Sequence, residues 1–421
     1  MTQIYLKNNI NNIPNELLYK FKIYSGVNKE CEYIFNKTKQ SNIKNIKLLF
    51  IEIEVLNNLI NTNFGYEICY DIRYWNLKYN INFLSLDLSR SSIYELPEIF
   101  SKITVRGTLN LSYNELKFLP ESFGEINVGG NLNLSHNQIK TLPKSFGQIK
   151  VGGDLNLSRN QIKTLPKNFG KNTVIGCNLD LSYNKLSTLS RNFIYIIVGF
   201  NIYLQYNNIS ILPKNFGGTK TNPFKINGSL FLFFNMLIDL PKKFCQIKVG
   251  GDLNLSFNEI KSLKNGFGNL KIGGDLDLSH NKLETLSEDF GNLQIGRVLD
   301  LSHNQIKKLS KNFGHIQIGG DLFLCYNQLS RLPISFCNIK VFGNLDVSNN
   351  LIKVLPKEIG TIIVEGNLNL SINQLEKVPF SILKITIGGD LDLSKNNFKN
   401  LALPKLCNVK GFLIDGHMDD Y

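Results

Sequence analysis

The chain has 421 residues, 43% hydrophobic and 19% charged, enough apolar material to bury a core and too much for a disordered chain. Its formal net charge is +13, yet only 7 of the 47 basic residues are Arg, the side chain best suited to reading base edges. The seven cysteines, at 31, 69, 177, 245, 325, 337 and 407, form no CxxC and no Cys/His cluster, which disfavours a disulfide framework and a zinc site.

The chain starts MTQIYLKNNINNIPNELL, with no apolar run of signal-peptide type. The most apolar stretch, Ile46 to Ile60, contains Glu52 and Glu54 and makes a poor membrane span. The expectation is therefore a protein of the reducing cytoplasm with no membrane contact. Residues 1–80 are read as a small, partly helical N-terminal cap. Its main element is an amphipathic helix over Ile43 to Ile60, with Leu48, Leu49, Ile51, Ile53 and Leu56 supplying the apolar positions. Trp75, the only Trp, and Phe83 are candidates to seal the core where the cap ends. The segment Ile13-Pro-Asn-Glu-Leu-Leu-Tyr-Lys-Phe21 resembles the start of an F-box. That resemblance implies a substrate receptor docked on a ubiquitin-ligase scaffold. Ile4 to Pro14 also reads as a worn copy of the LxLSxN repeat that fills most of the chain, so F-box, worn repeat and plain cap stand side by side for residues 1–30.

From residue 81 the chain repeats. The string LxLSxN recurs, and its last Asn falls at 114, 137, 160, 184, 207, 235, 258, 281, 304, 327, 350, 373 and 396. The spacing is 23 residues except for 24 between Asn160 and Asn184 and 28 between Asn207 and Asn235. Ser91 holds the same phase one period earlier, giving fourteen repeats over 81–404. Residues 405–421 are read as a degraded fifteenth copy, Val409 to Ile414, and a C-terminal cap. One full copy, DLNLSRNQIKTLPKNFG at 154–170, carries LxLxxNxLxxLP and closely resembles the leucine-rich-repeat family. The resemblance implies a repeat solenoid of α/β class with a parallel concave sheet, and a ladder of Asn side chains bonding backbone groups of neighbouring coils.

Each column has its own physical reading. Asp154-Leu155-Asn156-Leu157-Ser158 alternates with period two, so it is a short strand with Leu155 and Leu157 inward and Asp154, Asn156 and Ser158 outward. One strand cannot bury its leucines, but stacked copies about 4.8 Å apart can. Fourteen such strands would span roughly 62 Å. Ile162 and Leu165 return to the core. A Phe recurs at 100, 123, 146, 169, 193, 216, 244, 267, 290, 313 and 336, continued by Ile359 and Ile382, and reads as a core spine. Runs such as Ile149-Lys-Val-Gly-Gly-Asp154 predict a second short strand and a Gly-Gly bend. The convex side is therefore expected to be extended, with little helix.

Catalytic signatures are missing: no GxxxxGK[ST], HExxH or GxSxG occurs, and no base is matched to any of the many serines. The chain is read as no enzyme, with no cofactor and no metal. His136, His280 and His303 share the column just before the ladder Asn, and too few ligands surround them for a metal. Cys245 and Cys337 share a column four coils apart, about 19 Å, far beyond disulfide reach.

What remains is the concave face. Three strands there carry aromatics: Tyr203, Gln205 and Tyr206; Phe231, Phe233 and Phe234; and Phe323, Cys325 and Tyr326. Exposed aromatic clusters mark partner sites. The alternative is that the insertion at 217–229, with Pro223 and Phe224, folds over the first two strands. Acidic residues Asp252, Asp275, Asp277, Asp300 and Asp321 come next on the same face, with lysines on the back and edges. Nucleic acid is accordingly disfavoured as a partner. The sequence thus points to a monomeric, non-catalytic scaffold for an unidentified protein partner.

Overall fold

The computed structural model describes residues 3–5, 50–52, 85–96, 98–398 and 408–414. The chain divides into two compact units, residues 1–186 with 195–199, and residues 187–194 with 200–421. In both, a coil runs from a two-residue front strand through a tight turn and a short 3-10 or turn segment to a two-residue back strand. No α-helix occurs among the described residues. The short back strands are what the β-branched Ile-x-Val runs favour.

In the first unit the front strands run from Leu86–Asp87 through Leu109–Asn110, Leu132–Asn133 and Leu155–Asn156 to Leu179–Asp180, all parallel and in register. A five-stranded parallel back sheet runs from Thr104–Val105 to Ile197–Val198. Between the layers, Phe123, Phe146 and Phe169 stack at centroid distances of 6.3 and 6.5 Å and are fully buried. Near the chain start, Gln3–Tyr5 pairs antiparallel with Phe50–Glu52. This corrects the helix expected over Ile43 to Ile60 at those three residues. Ile51-Glu52-Ile53-Glu54-Val55 alternates β-branched and charged residues with period two, a strand pattern that outweighs the looser helical spacing. The remainder of that stretch, Trp75, Phe83 and the F-box-like segment 13–21 lie outside the described residues.

The second unit has front strands from Ile202–Tyr203 to Leu413–Ile414, with register preserved at each step. Its back sheet has eight parallel strands, Lys225–Ile226 to Thr386–Ile387. The Phe column continues through Phe216, Phe244, Phe267, Phe290, Phe313 and Phe336 at 5.9–6.5 Å. Ile359 and Ile382, both buried, take over after it.

The Asn column closes each turn. Asn160 is typical: Oδ1 accepts from the Ile139 N–H of the preceding coil at 3.0 Å. Its Nδ2 donates to Leu134 O of that coil at 2.9 Å and to its own Leu157 O at 3.1 Å. Asn281 makes the same set, with Ile260 N, Leu255 O and Leu278 O. A buried turn would otherwise strand these groups, and an amide satisfies donor and acceptor together.

The Gly pair sits in the bend expected of it, as at Gly152 and Gly153, and close packing of the coils adds a second reason for glycine. A Cβ on Gly152 would sit 1.9 Å from Gly129 O of the preceding coil. Neither residue needs a positive φ. At Gly152 the coils approach too closely for a side chain without a backbone shift, whereas Arg106, Asn227, Phe342 and Glu365 fill the same column in other coils.

Candidate functional site

The front sheet of each unit presents three surface columns, and each differs from what simple alternation predicts. In the column before the first Leu, Asp and Asn carboxyl and amide oxygens accept the backbone N–H of the following coil. Asn131 takes Asp154 N at 2.8 Å, Asp252 takes Asp275 N at 2.9 Å, Asp275 takes Val298 N at 3.0 Å and Asp321 takes Asn344 N at 2.6 Å. This is a second ladder that sequence reasoning missed; only the recurrence of Asp or Asn at that phase hinted at it. Arg297 also reaches both Asp252, at 3.1 Å, and Asp275, at 2.9 Å. Asp275 is therefore held by a cation and a backbone bond, and its charge is already partnered.

In the next column Asn156 takes Ser158 N at 2.9 Å and Ser158 Oγ at 2.7 Å. Ser158 does not point outward as expected; it is 8% exposed, and Ser112 and Ser182 are 3% exposed. The reason is local: a serine small enough to fold back onto the Asx oxygen two residues earlier closes a turn, and the strand ends there. Asp277 and Asp300 do the same for Ser279 and Ser302.

The third column, just before the ladder Asn, holds a left-handed backbone at every coil, with φ between 49° and 56° from Tyr113 to Lys395. Its side chains stack on one another. In the first unit, Tyr113 lies on His136 at 4.0 Å, and the Arg159 guanidinium lies over Tyr183 at 4.3 Å. In the second unit six rings form one continuous stack: Tyr206, Phe234, Phe257, His280, His303 and Tyr326, with spacings of 4.8, 4.2, 4.1, 4.2 and 4.3 Å. The histidines are thus members of an aromatic column. Among the described residues no group of three His, Cys, Asp or Glu is placed to hold a metal.

Against these columns the aromatic residues fall into place. Tyr203 and Phe231 stack at 5.1 Å with planes 6° apart. Phe233 sits where other coils carry the tucked Ser, too large to be enclosed, and is half-buried. It meets Phe231 edge-on at 6.3 Å, Tyr206 at 5.5 Å and Phe234 at 6.0 Å. Tyr203, Tyr206, Phe231, Phe233 and Phe234 therefore make one cluster. Tyr326 joins it through the ring stack. Phe323 stands apart from the cluster, in register with Asp300 and Asp346. Cys325, at the Ser position of the same coil, is half-buried, and burial pushes its thiol up to about 12.

The insertion turns back on itself. Gly218 and Pro223 form an antiparallel bridge, and Thr219 N donates to Asn222 O at 2.9 Å. Phe224 is 2% exposed and packs edge-on against Phe193 at 6.2 Å and Phe216 at 5.4 Å. The insertion is anchored in the Phe spine, between the 3-10 layer and the back strand, while Phe234 keeps 40% of its surface exposed.

The acidic pair Asp277 and Asp300 occupies adjacent, directly paired front strands. Burial, and then the neighbouring Asp277 carboxylate, push the Asp300 carboxyl above the usual aspartate value, against the hydrogen bonds from Ser302. Among the described residues neither is ion-paired.

A leucine-rich-repeat family model matches residues 275–293. The fold is similar to that of a leucine-rich-repeat protein of Leptospira interrogans, at 28% identity over 75% of this chain and 79% of that one, with a TM-score of 0.57. It is also similar to the leucine-rich-repeat domain of APL1, at 21% identity over 79% of this chain and 86% of that one, TM-score 0.57. A chain of the Drosophila Toll–Spatzle complex matches at 21% identity over 75% of this chain and 44% of that one, TM-score 0.55. No curated protein matches. No helix among the described residues is long and apolar enough to cross a membrane.

Proposed function

We propose that the chain is a leucine-rich-repeat protein and a non-catalytic scaffold whose second unit docks a protein partner on its front sheet. The observation that carries this reading is the ring cluster of Tyr203, Tyr206, Phe231, Phe233 and Phe234. At most other coils the positions equivalent to Tyr203, Phe231 and Phe233 hold small polar residues engaged in Asx turns. A chain that needed only to fold would have kept them. Three rings replacing those groups, beside Tyr206 and Phe234 of the ring column, leave apolar surface facing water, and that surface has value when something covers it. Aromatic side chains also lose little conformational freedom on binding and dominate interface energetics. The serines, histidines and cysteines of this face are absorbed by backbone ladders, ring stacking and burial, which argues for recognition over chemistry.

The test is affinity capture from the source cells with intact protein and with the Phe231→Ala/Phe233→Ala variant. The expected result is a partner retained by the wild type and lost from the variant, at an unchanged circular dichroism spectrum. Equal capture by both would remove the cluster from the reading.

A further inference from the structure

The front-sheet column that begins with the aromatic pair continues into an unusual order. Tyr203, Phe231, Asn254, Asp277, Asp300, Phe323 and Asp346 succeed one another in strict register on seven consecutive strands. Two aromatic positions thus bracket two carboxylates. From Phe231 to Phe323 is four coils, about 19 Å at the spacing of paired strands. An extended peptide of about six residues spans that length.

Like charges directly opposite on paired strands repel. Elsewhere on this face the chain relieves the problem itself, since Asp252 and Asp275 share the Arg297 guanidinium. Asp277 and Asp300 have no such cation among the described residues; their hydrogen bonds come from Ser279, Ser302 and the Asn254 amide. The charged and titratable groups around them, Asp346, His280, His303 and Cys325, supply no permanent positive charge. The surface between the rings is therefore negative, half-desolvated and uncompensated. An anionic partner, including a nucleic-acid backbone, is repelled there. Base or sugar stacking is disfavoured too, because the faces of the rings in the neighbouring stack are occupied by one another.

We propose that the occupant is an extended protein segment carrying a Lys or Arg flanked by apolar side chains, the cation seated on Asp277 and Asp300 and its flanks on Phe231, Phe233 and Phe323. This rests on the reading of the front sheet as a partner site and adds the chemistry of the partner. The cation gains two carboxylates that are already partly stripped of water, and its stem lies beside rings that favour cations and apolar stems alike.

The test is selection of displayed random heptapeptides on the intact protein, on Asp277→Asn/Asp300→Asn and on Phe231→Ala/Phe233→Ala. Asn is native to this column at 110, 133, 156, 254 and 369, so the first variant removes charge while keeping the turn acceptor. The wild type is expected to enrich peptides with Lys or Arg between apolar residues. The Asn pair should lose the preference for the cation and retain the apolar consensus, and the Ala pair should lose both. A wild-type consensus without Lys or Arg, still abolished by the Ala pair, overturns the inference and leaves the docking reading standing. A consensus indifferent to the Ala pair, or no enrichment over bare support, overturns both.

Discussion

His280 and His303 lie face to face, ring centroids 4.2 Å apart and planes 8° from parallel, in the middle of a six-ring column. Burial in the stack, and then the neighbouring His280, lower the affinity of His303 for a proton, while Asp300 works the other way. A histidine whose folded pKa is depressed gives stability that is fully present above the unfolded value of about 6.5. That stability is lost as pH falls through the lower folded value. Thermal unfolding followed from pH 7 to pH 5 should therefore show a falling midpoint. The His280→Phe/His303→Phe variant, which keeps the stack apolar, should show a flatter profile. Identical slopes would mean the stack does not resist protonation.

The Asn ladder predicts a larger loss at one atom group. In Asn281→Ala, the Ile260 N–H and the Leu255 and Leu278 carbonyls lose their partner in a buried turn. Two or more orphaned buried groups cost about 2–4 kcal/mol. Asn281→Asp keeps the acceptor but aims a carboxylate at two carbonyl oxygens, and it should be at least as damaging at pH 7. Urea unfolding of both variants checks this. A loss below about 0.5 kcal/mol would mean that water replaces the amide.

These two sites also show what was legible in the sequence and why. The Asn ladder and the Phe spine stand out because one residue type performs one task at a fixed phase in nearly every coil. The short back strands were readable for the same reason, from Ile-x-Val. The ring stack was legible only as a shared column with His280 and His303 in adjacent coils; its six-ring length was not, because a left-handed backbone position filled by Tyr, His, Arg, Phe, Ile and Lys has no compositional signature. Ser158 looked exposed because alternation assumes a strand that continues, whereas the strand ends at Asn156 and Ser158 folds back onto it. Asp275 looked like binding charge because Arg297, 22 residues away in sequence, becomes its neighbour only when the coils stack.

The left-handed column carries strain that one substitution should release. Ile372 has φ 51°, and a β-branched residue there is sterically disfavoured. Its side chain is 40% exposed, so little packing is lost when it is replaced. Asn349 occupies the same position one coil earlier at φ 53°, so this backbone already accepts Asn. Ile372→Asn should raise stability by about 1 kcal/mol, the size of the left-handed penalty for an ordinary residue. The midpoint of chemical unfolding measures it. A decrease would show that the Ile side chain contributes packing that outweighs the strain.

The insertion offers a test of whether it acts as a cover. Its two halves do different things: Phe224 fills the spine beside Phe193 and Phe216, while Thr219 to Asn222 form an exposed tip closed by the Gly218–Pro223 bridge. Removing the Phe224 ring should cost about 3–5 kcal/mol, as for other buried Phe truncations. Replacing Thr219–Asn222 by a two-residue Asn-Gly turn should cost little, because the bridge then closes on a favoured hairpin. If the aromatic cluster is open to a partner, the short-tip variant should capture that partner as well as the wild type does. A marked rise in capture on shortening the tip would mean that those four residues shield the cluster, and would make the insertion a gate on the front sheet.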